Sequence, residues 1–156
     1  MMSRILKLLA CAALLSASSA FAQTATGTFT VTATVARTCT VGANSVILPL
    51  YDPTTGTTSD GTTTINVACT RRTPYTVTLA STGNLWQLSP ASGSDRLDYE
   101  IYSDSSHMTR WNESTAVTGA GAGHVANQHV AYIRVPASQD AGEGEYRDTV
   151  TMTVSY

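Results

Sequence analysis

At residues 146–156 the sequence reads YRDTVTMTVSY. Alternate side chains of a β-strand point to opposite faces, so a period of two predicts a strand with one buried face. That face reaches the last residue of the sequence, and we expect it to border an edge that nothing later in the sequence covers. The residues of this face are Tyr146, Asp148, Val150, Met152, Val154 and Tyr156.

A second alternating stretch, TFTVTATV, occupies residues 28–35. β-Branched Thr suits the exposed face of a strand without adding charge. The opposite face carries Phe29, Val31, Ala33 and Val35, and burial of the Phe and Val side chains would contribute about 1.5–3 kcal/mol each. We expect this segment to cover an open edge, either in its own molecule or in a neighbour. Covering a neighbour is strand addition, and because donor and acceptor are different surfaces its repetition builds an open filament.

The remaining chain is a series of short strand candidates separated by turn-rich stretches. Residues 119–123, GAGAG, are interpreted as a flexible connector, and residues 108–111 as a short strand. No helical stripe is found after the first 22 residues, so the spacing predicts an all-β sandwich. Because an immunoglobulin sandwich has about seven strands, six make it incomplete. The six principal strands are predicted at residues 38–48, 62–70, 75–80, 97–103, 128–135 and 146–156.

The first 22 residues are typical of a secretory signal peptide. Arg4 and Lys7 precede a short apolar stretch, and residues 20–22, Ala-Phe-Ala, form a small-x-small cleavage site before Gln23. No later stretch approaches 18 apolar residues, so no membrane span is predicted. Cleavage would leave Cys39 and Cys69 as the two cysteines, and an even count in an exported chain indicates a disulfide. Closing that loop would contribute about 3.5 kcal/mol to stability.

The composition excludes several classes of function. Of the 156 residues 42% are hydrophobic and 13% are charged, and the net charge is −2. These values disfavour disorder and nucleic-acid binding, which requires clustered Lys and Arg.

The sequence predicts no catalytic site, no metal site, no cofactor and no enzymatic activity. His107, His124 and His129 lack the close spacing of metal ligands. The acidic group at residues 140–148 is interpreted as a solvated turn. Trp86 and Trp111 could stack on a sugar, but packing roles are favoured.

Four stretches of the sequence resemble the spore coat protein U domain family, which includes the pilin subunits of archaic (Csu-type) chaperone–usher pili. The closing run, Gly-x-Tyr-x-Asp-Thr-Val with a terminal aromatic residue, is the most specific of the four. In order, the stretches are residues 29–35 followed by 39–42, residues 67–69, residues 97–104 and residues 144–156.

The resemblance implies an incomplete immunoglobulin-like pilin that lacks its final strand. In such families a periplasmic chaperone lends a strand, and at an outer-membrane usher the next subunit's N-terminal segment replaces it. The expected donor residues are Phe29, Val31, Ala33 and Val35. The expected acceptor strand, which the chaperone would also bind, carries Val150, Met152, Val154 and Tyr156. Cys39 and Cys69 match the family's disulfide pair.

The leading hypothesis is a structural subunit of a secreted cell-surface pilus that serves adhesion or biofilm formation. It divides the chain into a signal peptide (1–22), a donor-strand extension (23–36) and a pilin domain (37–156). Two alternatives remain open. The first is a spore or cyst coat protein that associates with itself, and the second is a secreted monomeric carbohydrate-binding sandwich closed by its own N-terminal strand.

Overall fold

The structure, a computed structural model, describes residues 22–156, so most of the predicted signal peptide lies outside the described residues. The described part divides into two units, residues 22–34 and residues 35–156, and the strands found among the described residues all belong to the second. The described residues contain no α-helix, only one short 3₁₀ turn, Thr82–Asn84. The strands are β1 (Cys39–Ala43), β2 (Ser59–Cys69), β3 (Pro74–Ala80), β4 (Gln87–Pro90), β5 (Leu97–Asp98), β6 (Glu100–Tyr102), β7 (Val117–Ala120), β8 (Asn127–Val135), β9 (Tyr146–Arg147) and β10 (Thr151–Ser155).

All strand pairs are antiparallel, and their order is that of an immunoglobulin sandwich. One sheet has the order β1-β2-β8-β6, which corresponds to strands A, B, E and D. A second sheet has the order β10-β3-β7, in which β3 and β10 correspond to strands C and F. A small third sheet joins β5, β4 and β9. Strand G of a complete fold would lie beside F, and at that edge β10 has no ladder partner among residues 22–156. The predicted all-β, incomplete sandwich is confirmed.

The core lies between the two larger sheets because alternate residues of their strands point inward. Val67 of β2 and Val77 of β3 are fully buried, and Ala131 of β8 lies with them in the same cluster. Trp111 is 1% exposed, and its indole nitrogen donates a hydrogen bond to the carbonyl of Val77 at 2.9 Å. The large ring can be buried without leaving an unsatisfied polar atom, because its one polar atom has a hydrogen-bond partner.

The predicted disulfide between Cys39 and Cys69 is present. These two residues are directly opposite each other in the β1–β2 ladder. The bond therefore fastens the edge strand β1 to the centre of its sheet.

Residues 28–35, predicted to be a strand from their alternation, form no strand in the structure. Alternation states which face a segment would bury, but a strand also requires a neighbour for its backbone hydrogen bonds. Phe29 is 88% exposed and Val31 is 82% exposed.

The interpretation of residues 119–123 as a flexible connector is wrong for its first part. Gly119 and Ala120 belong to β7, which pairs with β3. Gly121 then donates a hydrogen bond to the carbonyl of Thr73 at 2.8 Å and accepts one from the amide of Arg72 at 2.7 Å. Glycine is needed at this point because a Cβ on Gly121 would lie 2.6 Å from the carbonyl oxygen of Cys69.

The last predicted strand, residues 146–156, is interrupted. Its first part, β9, pairs with β4, and its second part, β10, pairs with β3. Asp148 stands at the interruption, where its carboxylate accepts hydrogen bonds from the hydroxyl of Tyr99 at 2.6 Å and from the amide of Thr149 at 2.7 Å. The local bond takes the Thr149 amide away from the ladder, and the bond from the distant Tyr99 holds Asp148 where the strand changes sheets. The predicted strand at 97–103 is likewise split at Tyr99.

Candidate strand-acceptor groove

The unpartnered edge of β10 forms one wall of an open groove. Met152 and Val154 point inward and are half-buried, while Thr151, Thr153 and Ser155 are exposed on the other face. The backbone of β10 forms its ladder with β3, in which Met152 is opposite Leu79. The other side of β10 therefore presents peptide groups of the kind that accept an additional strand.

The opposite wall is the segment that follows β1. Val46 and Leu48 pack against the core, whereas Ile47 and Leu50 are almost fully exposed. The segment runs beside β2 without forming a ladder. Side-chain hydrogen bonds hold it instead, from Thr63 Oγ1 to the carbonyl of Asn44 and from Ser59 Oγ to the carbonyl of Pro49, both at 2.9 Å.

Between these walls the groove encloses about 370 Å³. Its floor consists of core residues that a complete sandwich would cover with its last strand. The apolar floor residues are Ile65, Leu79, Leu88, Ile101, Ala131 and Ile133. An apolar floor below an open strand edge binds an extended segment through ladder bonds and alternate apolar side chains.

Asp148 adds a charged side chain to the lining of the groove. It accepts a hydrogen bond from Tyr99, which also lines the groove. Burial, together with the neighbouring Asp148 carboxylate, raises the pKa of Tyr99 well above its usual range, so the phenol stays a hydrogen-bond donor. The amide of Thr82 adds a longer bond of 3.3 Å to the same carboxylate.

The predicted acceptor residues do not all lie in this groove. Val150 and Met152 line it. Val154 packs against the core beyond the lining residues, and Tyr156 lies outside β10 and is 56% exposed. The role of these four residues in binding a partner strand stays a prediction.

Sequence reasoning missed the second wall. Val46 and Leu48 belong to the predicted strand 38–48, and their alternation indicates an inward face. Their place at the groove depends on which edge of the sheet β1 occupies. The order of strands in the sheet follows from pairings between distant segments. Gly61 allows the close approach, since a Cβ there would lie 2.5 Å from the Leu48 side chain.

Three of the residues weighed for catalysis or metal binding, His107, His129 and Glu145, contact other side chains. The hydroxyl of Tyr75 lies 2.8 Å from His129 Nε2, and His107 makes edge contacts with Tyr102 and Tyr132. Glu145 pairs with Arg147. Within residues 22–156 no three His, Cys, Asp or Glu side chains are grouped as a metal site would require. The same part of the chain has no helix of the length and apolarity that a bilayer crossing needs.

The topology and the groove define an immunoglobulin-like sandwich with one strand position open. A family model described as the spore coat protein U domain matches residues 25–153. The chain therefore belongs to the spore coat protein U domain family, as its motifs indicated. Membership of this family makes it a structural protein rather than an enzyme.

Two individual proteins are similar to this chain. One is Protein U of Myxococcus xanthus, which is 28% identical over an alignment that covers 94% of this chain and 93% of the relative. The other is a chain in the crystal structure of the CsuC–CsuE chaperone–tip adhesion subunit pre-assembly complex from archaic chaperone-usher Csu pili of Acinetobacter baumannii. It matches with a TM-score of 0.58 and 22% identity, over 79% of this chain and 41% of that chain. The second likeness is one of fold.

Proposed function

We propose that this protein is a pilin-type subunit of a surface fibre and that subunits join by donor-strand complementation. The open strand-G position beside β10 carries the proposal. A sandwich with this deficit leaves one strand edge without ladder partners and leaves lining side chains such as Leu88 and Met152 only half-buried. An extended segment that fills the groove pairs with this edge and buries those side chains.

The N-terminal segment has the properties of the missing strand. Its apolar residues Phe29, Val31, Ala33 and Val35 recur every second position, which matches the side-chain repeat of a strand laid along β10. The three larger side chains are each at least 80% exposed in the structure. No strand forms within residues 22–38, so the structure gives no support to a monomer closed by its own N-terminal strand.

A subunit with an open groove needs a temporary partner before assembly. The fold likeness to a chain in a chaperone–subunit complex supports a periplasmic chaperone in this role. We further propose an outer-membrane usher as the site of strand exchange, neighbouring pilin subunits as the permanent partners, and a pilus on the cell surface, serving adhesion or biofilm formation, as the product.

The test measures whether the N-terminal segment, added as a separate peptide, supplies the missing strand to a chain that lacks it. A chain that begins at Arg37 should be unstable or aggregate, and a synthetic peptide of residues 26–36, TGTFTVTATVA, should restore a soluble complex. The same peptide with Val31→Asp should bind at least about 100-fold more weakly, because it places an unpaired charge in an apolar groove.

Thr30→Asp in that peptide is the matched control. Thr30 lies on the opposite face of the strand, where a carboxylate stays in water, so its affinity should remain within about threefold of the parent peptide. If the unmodified peptide does not rescue the shortened chain, or if the two Asp peptides bind equally, the proposed function is wrong.

A second candidate is a spore or cyst coat built by self-association without an usher. The family description and the similarity to Protein U of Myxococcus xanthus favour it. One measurement separates the two candidates, namely whether the purified protein forms fibres without other proteins. Purified protein that forms fibres unaided supports the coat, whereas fibres that require a co-expressed chaperone and usher support the pilus.

A further inference from the structure

A second cavity of about 370 Å³ lies where the strand at residues 97–102 changes sheets. Before Tyr99 this strand pairs with β4, and after Tyr99 it pairs with β8. Two sheets that part at one residue leave a cleft between them. Pockets of a few hundred Å³ are of the size that holds small ligands.

The cleft has an apolar side that is held in one conformation. Leu85 is 66% exposed at its rim, and Trp86 and Pro136 are half-buried beside it. Trp86 has a φ of 53°, a left-handed conformation that is unfavourable for a bulky residue. Ser81 Oγ accepts a hydrogen bond from the Trp86 amide at 2.7 Å, and the Trp86 carbonyl accepts one from the Tyr99 amide at 2.9 Å. Strain of this kind persists where the surroundings enforce it, often at binding sites.

The other side of the cleft is polar and offers both donors and acceptors. Asn112 Oδ1 accepts hydrogen bonds from the amides of Ser114 and Thr115, and its side-chain NH₂ group makes no hydrogen bond within the described residues. Asp98 accepts a bond from Gln87 through one carboxylate oxygen, while its second oxygen makes no hydrogen bond within the described residues. Gln139 fixes the backbone of Asp98 at both its amide and its carbonyl.

The net charge of the residues that line the cleft favours some classes of ligand over others. Glu100 forms an ion pair with Arg110, and its other oxygen accepts a bond from the hydroxyl of Tyr102. Asp98 has no cationic partner in the described residues, so the cleft carries one excess negative charge. Acidic ligands are therefore disfavoured.

From this geometry we propose that the cleft is a binding site for a neutral saccharide of one or two rings. A sugar ring has an apolar C–H face, which suits Leu85 and Trp86, and a rim of hydroxyl groups that both donate and accept, which suits Asp98 and Asn112. This inference does not rest on the proposed strand exchange. A site of this kind would give an assembled fibre a glycan contact on every subunit.

Tryptophan fluorescence provides a direct readout, because the chain has two tryptophans and both line the cleft. The exported protein is titrated with methyl glucoside, N-acetylglucosamine and cellobiose as neutral probes, and with glucuronate as the acidic probe. We expect a saturable change with at least one neutral sugar and an affinity for glucuronate at least about tenfold weaker. Saturation-transfer NMR on the same samples reports which sugar protons touch the protein.

Two variants test the assignment of the site. Asn112→Asp keeps the oxygen that the Ser114 and Thr115 amides need but removes the NH₂ donors, and we expect binding about tenfold weaker. Trp86→Ala should lose a similar factor, whereas Trp86→Phe, which keeps a flat ring, should stay within about threefold. Circular dichroism confirms that each variant is folded. No saturable binding of any neutral sugar, equal binding of glucuronate, or unchanged affinity in both Asn112→Asp and Trp86→Ala would overturn the proposal.

Discussion

His129 is an ionisable side chain on the inner face of β8, where few polar partners exist. The side-chain amide of Asn127 donates to the hydroxyl of Tyr75 at 2.9 Å, and that hydroxyl lies 2.8 Å from His129 Nε2. Because the Tyr75 oxygen accepts from Asn127, its own proton is available to the histidine nitrogen, and this arrangement fits a neutral ring whose Nε2 carries no proton. Burial lowers the pKa of His129 below its usual value of 6.5, in agreement with this bond pattern.

We predict that acid weakens the fold through His129. Its folded-state pKa lies below its unfolded value, so the unfolded chain binds the proton more readily and stability falls as the pH drops below about 6.5. The thermal midpoint should decrease between pH 7.5 and pH 5, and His129→Gln should reduce that decrease. Asp52, Asp60 and Asp104 have pKa values below 3.8 and titrate outside this window.

His124→Gln serves as the control for this experiment, because His124 is exposed. It should leave the dependence of the thermal midpoint on pH unchanged. A decrease that persists at full size in His129→Gln would contradict the assignment.

At the scale of elements, the turn after β7 shows how backbone geometry limits the sequence. Gly121 hydrogen-bonds to residues 72 and 73, directly beside the end of β2. The atoms that an added Cβ would meet are backbone carbonyl atoms of Cys69 and Thr70, which cannot rotate away as side chains can.

Gly121→Ala should therefore lower the free energy of unfolding by about 2 kcal/mol or more. Gly42→Ala is the matched control. Gly42 lies in β1, where a Cβ would meet no atom within 4 Å, and its free energy of unfolding should change by less than about 0.5 kcal/mol. Denaturant unfolding measures the free energy of unfolding of both variants. Equal values would show that the turn accommodates a methyl group without loss of stability.

At the scale of the whole molecule, the proposed donor segment and the proposed acceptor groove are different surfaces of one chain. A contact between different surfaces is heterologous, and its repetition gives an open filament unless the geometry closes a ring. The two halves of the contact can therefore be disabled one at a time.

We predict that Val31→Asp leaves a chain with a working groove and a defective donor, and that Met152→Asp produces the reverse. Neither variant should polymerise alone. Mixed in equal amounts they should form a one-to-one dimer, because the single compatible contact joins the Met152→Asp donor to the Val31→Asp groove. Sedimentation analysis distinguishes monomers, the one-to-one dimer and polymers.

Thr151→Asp, on the exposed face of β10, is the control and should still polymerise. Filaments from Met152→Asp alone, or a mixture that contains only monomers of folded chains, would argue against strand exchange through this groove.

Much of the sandwich could be predicted from the sequence because its signals are local. The alternation in residues 62–70, 75–80 and 128–135 corresponds to strands β2, β3 and β8, since a period of two is a property of each segment alone. The disulfide between Cys39 and Cys69 followed from a count of cysteines.

Other features depend on which distant segments meet, and tertiary structure alone decides them. Alternation marked residues 28–35 as apolar on one face, but no ladder partner makes them a strand here. The break at Asp148 arises from a bond to Tyr99, a residue 49 positions away. Val46 lies in a wall of the groove because β1 and β10 occupy neighbouring edges of two sheets. Sheet order is set by long-range pairing and by burial of a shared core, and no local pattern in the sequence encodes it.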